Sequence, residues 1–444
     1  MIVLGAGLWA CVPTGNRSEP VAVPSSPLPA ADASVTPKPR DAAAPVDRAT
    51  PPPPLPDVGP SVDATGASLD LAASRCIKPS RDTAFVSSGS SLVWVDPSKI
   101  APAQLAAAMT RWLFRSDPAA DVIARLADCP SVSLLQLRAL AEELVDDPRA
   151  DAGMQLFFSK WLQLAHVDTL TPDPAVFPAF SLLALPALRT AMVNEVTHFG
   201  SHVARLGGPS FATLLTASFS FVDGALAPIY GLPGVPGDAP ALLRPLPPDG
   251  QRSGILTMPA LLSIGMTLQR HSPPARGRFV LERLLCGGVP DPPPSLPPDV
   301  PAPLPGQSLR QTFERLFQPV CRPCHALVDS GWALEMFDAV GQRRTMDNGA
   351  AIDGAAILTF PDGTSQPVAN PRQLAQALLD SPAAANCFVD HLFANALGFD
   401  EPVVDRLTSA TTPALRRDFQ QNSGNIRQLF LDIVSTADFH HQRR

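Results

Sequence analysis

Lysine is almost missing from this chain: of 34 basic residues only Lys38, Lys78, Lys99 and Lys160 are lysines, and tyrosine occurs once in 444 residues. Charged residues make up 17% and the formal net charge is −7. With no basic block to offset that balance, a nucleic-acid partner is excluded. No apolar run is long enough to span a bilayer as a helix. G-x-S-x-G, P-loop and H-E-x-x-H patterns are all absent, so the common hydrolase, nucleotide and zinc-protease chemistries find no motif here. Convincing alternating strands are also scarce; SLVWV at 91–95 is the best candidate. What the chain has in excess is proline, 52 residues, concentrated in two clusters.

The opening MIVLGAGLWACVP is a short apolar run. Leu8 lies three positions before Cys11, with the small Ala10 between, which resembles a bacterial lipobox and implies lipidation of Cys11. No positively charged n-region precedes it, and Trp9 is unusual in that setting. The expectation is nevertheless export, to the periplasm or to the outer membrane as a lipoprotein, with the lipid as the only membrane attachment.

Residues 1–11 are therefore read as signal and lipobox, and 12–75, rich in Pro and Ala with PPPPLP at 51–56, as a disordered tether. Residues 76–288 carry helical periodicity, as in AQLAAAMTRWLF, where Leu105, Met109, Trp112 and Leu113 share a face. VPDPPPSLPPDVPAPLPG places an extended connector at 289–306. Segment 307–369 opens on SLRQTFERLF, an amphipathic helix with Ser308 as cap and Leu309, Phe313, Leu316 and Phe317 facing inward. GWALEMFDAVGQRR follows, then an irregular Gly- and Asp-rich piece from Asp347 to Asn370. Residues 370–444 are helical again. The fold class is mainly α, with a small cytochrome c-like module inside it.

That module contains Cys321-x-x-Cys324-His325. Seven cysteines and eight histidines in this length give about 0.002 chance occurrences of C-x-x-C-H, the spacing of covalent haem attachment. Two thiols one helical turn apart suit the vinyl groups, and the adjacent imidazole suits the iron. The expected cofactor is one haem c, held by Cys321 and Cys324 and ligated by His325. Met346 is the preferred second axial ligand among Met336, Met346, His391, His440 and His441. Arg343 and Arg344 are candidates for the haem propionates, against a solvated basic pair. Zinc on the same residues and a structural Cys321–Cys324 disulfide are the competing readings. Cys76, Cys129, Cys286 and Cys387 allow two further bridges in any of three connectivities.

The run CRPCHALVDSGWALEMFDAVGQRR resembles the signature of domain of unknown function 1588. The matching positions are Cys321, Cys324, His325, Asp329, Gly331, Leu334, Glu335, Phe337, Asp338, Gly341 and Arg344. MTRWLFRSDPAADVIARLADC, LVDDPRADAGMQLFFSKWLQL, SFSFVDGALAPIYG and the stretch from Ser253 to Pro294 are similar to domain 1592. In that stretch SP-x-x-RG falls on Ser272, Pro273, Arg276 and Gly277, and the LLC-x-x-x-P-x-PP element on Cys286, Pro290 and Pro292 to Pro294. The tail, with Cys387 and ANALG at 394–398, resembles domain 1585, but Phe399 stands where that pattern has arginine. The resemblance implies a bacterial envelope protein of a kind often associated with c-type cytochrome domains, and no agreed activity.

Other candidates have plainer readings. Glu195 and His198, at i and i+3, fit a carboxylate-bundle metal spacing but read first as a helix-surface pair. Arg270-His271 before Ser272-Pro273 could bind an anion but reads first as a capped helix start. Asp329, Glu335 and Asp338 lack regular calcium-loop spacing and read as capping and packing residues. The leading function is an electron-transfer or redox component with a partner in the envelope. The alternatives are a non-catalytic scaffold lipoprotein and an enzyme acting on extracellular polymers.

Overall fold

The computed structural model describes residues 92, 94–117, 119–127, 129, 131–177, 185–206, 208, 210–248, 251–290, 304–316, 321–402 and 410–440. Cys11, Cys76, Phe317 and His441 lie outside them. The described chain is mainly helical, as its periodicity predicts.

The first group of helices is α1 (Pro102–Leu113), α2 (Ala120–Ala127), α3 (Leu134–Asp146), α4 (Asp151–Trp161), α5 (Leu185–Arg205) and α6 (Ser210–Thr216). Their starts follow from local chemistry: Pro102 opens α1, and Ser133 and Gln136 form a reciprocal capping box at α3. Leu105, Met109, Trp112 and Leu113 are all buried, so the stripe predicted for α1 does face the core. The hairpin β1 (Phe219–Val222) with β2 (Leu242–Pro245) brackets the one-turn helix α7 (Ala227–Tyr230). Then come α8 (Pro259–Leu262) and α9 (Pro273–Phe279), the latter running into a π turn at Val280–Leu284.

Beyond the second proline cluster lie α10 (Leu309–Leu316), α11 (Arg322–Leu327) and a 3-10 turn at Asp329–Leu334. Ser308 caps α10 as predicted, with Leu309 and Phe313 buried. The segment predicted as irregular instead holds two antiparallel hairpins. These are β3 (Met346–Asp347) with β4 (Ala350–Ala351), and β5 (Ala356–Thr359) with β6 (Ser365–Val368). Asp362-Gly363 was the available signal for the second, with Gly363 at φ 85° in its turn. Conversely, SLVWV gives no described strand; Trp94 makes a single bridge to Thr436. The chain ends in α12 (Pro371–Asp380), α13 (Pro382–Ala396), α14 (Thr411–Gln421), α15 (Ile426–Ser435) and α16 (Ala437–His440).

Distant segments share one core. Phe157 and Trp161 of α4 meet Phe388 of α13 edge-on at centroid distances of 5.7 and 5.0 Å, and Phe388 stacks on Phe419 of α14 at 5.8 Å. Trp161 and Arg283 exchange hydrogen bonds, indole N–H to the Arg283 carbonyl at 2.9 Å and Arg283 Nε to the Trp161 carbonyl at 2.7 Å.

The closest joint is α9 against the 3-10 turn. A Cβ on Gly277 would lie 1.8 Å from the Val328 carbonyl oxygen, and one on Gly331 would lie 1.9 Å from that of Pro273. Backbone meets backbone there, so no side chain can yield. Gly277→Ala is expected to destabilise the protein by about 1–3 kcal/mol through forced separation of these elements. Urea unfolding checks this, with Gly208→Ala, where nothing lies within 4 Å, as the harmless comparison.

Candidate functional site

Helix α11 begins directly after Cys321, and the His325 N–H donates to the Cys321 carbonyl at 3.2 Å. One helical turn therefore carries Cys321, Cys324 and His325. Cys321 is 2% exposed, His325 is 8% exposed, and Cys324 is partly exposed. Burial pulls the His325 imidazole down to about 4, so it is neutral at physiological pH and keeps a lone pair for a metal. The Phe313 ring of α10 lies 6.4 Å away.

The sulfurs differ. Cys324 is a free thiol, whereas Cys321 is disulfide-bonded. The structure thus does not contain the Cys321–Cys324 bridge held open from sequence, because Cys321 takes its sulfur elsewhere. Tested against haem, the turn supplies the spacing, a buried neutral imidazole and one available thiol. The second thioether and the Cys321 disulfide compete for the same sulfur, so attachment at both positions requires a chain in which that disulfide has not closed.

The other residues proposed for this cofactor go elsewhere. Arg344 is not a solvated cation: its guanidinium pairs with Glu335 Oε1 at 2.5 Å and Asp347 Oδ1 at 2.8 Å. Arg343 is exposed and makes no comparable ion pair among the described residues. Met346 sits on the β3–β4 hairpin with its side chain 53% exposed. His440 Nε2 lies 2.7 Å from the Val434 carbonyl, and His391 lies beside the Cys286–Cys387 disulfide.

Most of the remaining signature is architectural. Glu335, 3% exposed, accepts from His271 Nε2 at 2.9 Å and from Arg344. Burial pushes Glu335 up, but His271 and the Arg344 and Arg276 charges outweigh it and hold the carboxyl below its usual range. Burial pushes the His271 imidazole down, against the opposing pull of the Glu335 carboxylate. The pair Arg270-His271 is therefore no surface start of a helix, although Ser272 does cap α9. Asp329 accepts the Ile357 N–H at 2.6 Å, and Asp338 accepts those of Val340 and Gln342. Phe337 is fully buried, and Gly341 turns at φ 84°. Arg276, also fully buried, gives its guanidinium to the carbonyls of Leu262, Leu334, Phe337 and Asp338.

Glu195 corrects another expectation. It is not on a helix surface but fully buried, receiving hydrogen bonds from the Tyr230 and Ser220 hydroxyls, while His198 turns to the Phe221 ring. Its neighbours Ala191, Met192, Val196 and Phe199 are all buried, and this apolar stripe on both sides was the overlooked signal. Burial raises its carboxyl to about 7. The folded value lies above the unfolded one, so this contribution is fully present below about pH 4.5 and is lost as pH rises through 7. Glu195→Gln is expected to gain about 2–3 kcal/mol relative to the parent between pH 5 and pH 8. Urea midpoints for both proteins at the two pH values check it, and parallel pH curves would refute the assignment.

Among the remaining cysteines, whose sequence is compatible with two bridges in any of three connectivities, the described residues contain one complete pair. Cys286 and Cys387 form a disulfide spanning 101 residues, and Cys129 is disulfide-bonded as well.

Two family models match. Residues 100–232 match PSD4, a protein of unknown function (DUF1592), and residues 252–347 match PSCyt3, a protein of unknown function (DUF1588). The second match begins before α9, which moves Ser272, Arg276, Gly277 and Cys286 out of the 1592-like segment. In the structure the Gly277–Gly331 joint and the Arg276 hydrogen bonds likewise tie α9 to the 3-10 turn. No curated protein and no solved structure matches the chain. The chain is thus similar, over most of residues 100–347, to two adjoining families of unknown function.

Proposed function

We propose that the C-x-x-C-H turn is a covalent haem attachment site and that the chain is an exported electron-transfer or redox component of the bacterial cell envelope. The observation that carries this is one helical turn placing two cysteines beside a buried, neutral imidazole. Most other signature residues have structural duties in the joint, which leaves these three as the part of the signature suited to chemistry. Cys321 and Cys324 would hold the porphyrin and His325 would ligate the iron. The group would supply one-electron transfer at a potential set by burial and the sixth ligand. The protein's part is to fix the imidazole and to shield it beside Phe313.

Export is part of the same proposal. The Cys286–Cys387 disulfide is compatible with an oxidising compartment, and the Cys11 lipobox would supply the anchor. The similarity of the tail to domain 1585 and the association with cytochrome domains also belong to this reading. Protein produced with c-type maturation machinery is expected to show a Soret band that survives acid–acetone extraction. Cys324→Ser together with Cys321→Ser should abolish it.

A second reading is favoured by one observation, the disulfide at Cys321. In it the cysteines serve as cross-links and the chain is a non-catalytic envelope scaffold. Colourless protein under those same maturation conditions selects it.

A further inference from the structure

The Cys286–Cys387 disulfide is placed unlike a buried structural staple. Cys387 is 1% exposed, but Cys286 is exposed at the wall of a cavity of about 600 Å³. Cys286 directly follows the π turn and Leu285, and holds φ at 52°, the left-handed region that a non-glycine residue enters at a cost. π turns inside helices are frequent at functional sites.

His391 supplies the second, independent observation. It stands one helical turn after Cys387 on α13, lines the same cavity, and is 5% exposed. Its Nε2 has no hydrogen-bond partner. A buried imidazole nitrogen left unsatisfied is costly, and such groups call for an explanation such as an ion. A ring nitrogen and both sulfurs lie within 4.8 Å of one another. The surrounding charges are already committed: Asp390 to Arg416 at 2.8 Å, Glu282 to Arg278 at 2.7 Å, and Glu401 to Arg283. None of them competes for the imidazole.

We propose that Cys286, Cys387 and His391 form a zinc-type metal site that the disulfide closes and a thiol reductant opens. A thiolate attacks the exposed Cys286 sulfur, the S–S bond breaks, and Cys387 leaves as a thiolate. A second thiolate attacks the external sulfur of the mixed disulfide and frees Cys286. The two external thiols end as one external disulfide, and the protein gains two electrons and two protons. Metal binding then displaces those protons. Two thiolates and one imidazole make a three-residue set, and a fourth position facing the cavity remains for water or an anionic ligand, the pattern of open zinc sites.

The test uses the full chain, reduced with a phosphine that is then removed, and Co²⁺ as the spectroscopic probe. The expected result is a thiolate-to-cobalt charge-transfer band at one Co²⁺ per chain, absent from the oxidised protein. It should survive Cys321→Ser and Cys324→Ser, which separates it from the C-x-x-C-H turn. His391→Ala should weaken binding by about ten-fold or more. Should the cysteine variants fail to fold, the unmutated protein still decides: Zn²⁺ should protect Cys286 and Cys387, but not Cys324, from alkylation mapped by mass spectrometry. Equal alkylation with and without Zn²⁺, or a band lost with Cys321 and Cys324, overturns the proposal.

Discussion

Arg276→Leu is expected to cost about 3–5 kcal/mol, enough to unfold much of the protein at mild urea concentrations. Five N–H···O contacts of 2.6–3.0 Å run from one guanidinium to four backbone carbonyls, one 14 residues before it and three 58–62 residues after it. Burial lowers this arginine to about 10, still well above neutral pH, so the charge is retained. Leucine would fill part of the volume but leave four carbonyls short of donors, each worth about 1–3 kcal/mol when buried, without strict additivity. Lysine would keep the charge yet lack the planar fork that reaches several carbonyls at once. Arg276→Lys should therefore lose most of the same stability. Urea unfolding of the two variants distinguishes geometry from charge: a near-normal lysine variant would mean that charge alone suffices.

Opening the Cys286–Cys387 bridge is the second large effect. Its 101-residue separation corresponds to about 4–5 kcal/mol of chain entropy removed from the unfolded state. Cys286→Ser with Cys387→Ser is expected to lose that order of stability and lower the unfolding temperature. The Trp161–Arg283 exchange and the Phe388 ring cluster hold the same elements, so the native arrangement should persist at low temperature. Thermal unfolding of parent and variant measures the difference. A gap below about 1 kcal/mol would mean that those contacts already restrict the unfolded chain as the bridge does.

The helices were legible because their apolar stripes and caps are local. Ser308 and Ser272 each announce a start that the structure keeps. The β5–β6 hairpin was missed because its strands are only four residues long and its proline and glycines resemble loop. The C-x-x-C-H turn was legible as spacing, but the fate of Cys321 was not, since pairing depends on approach in space. The same holds for Cys286 with Cys387. The spacing Cys387-x-x-x-His391 was present in the sequence, yet its meaning required the disulfide beside it. Arg344 and Glu195 were misjudged for a shared reason. Charged side chains are read as exposed unless a partner is known, and their partners His271, Asp347, Tyr230 and Ser220 come from distant or unremarkable stretches.

The most direct measurement is the intact mass of exported protein, made with c-type maturation and digested to locate the modification. A mass increase of one porphyrin, mapped to the peptide containing Cys321, Cys324 and His325, is the outcome that follows from haem attachment at this turn. A colourless protein at its unmodified mass, with Cys321 in a disulfide and Cys324 open to alkylation, would contradict it.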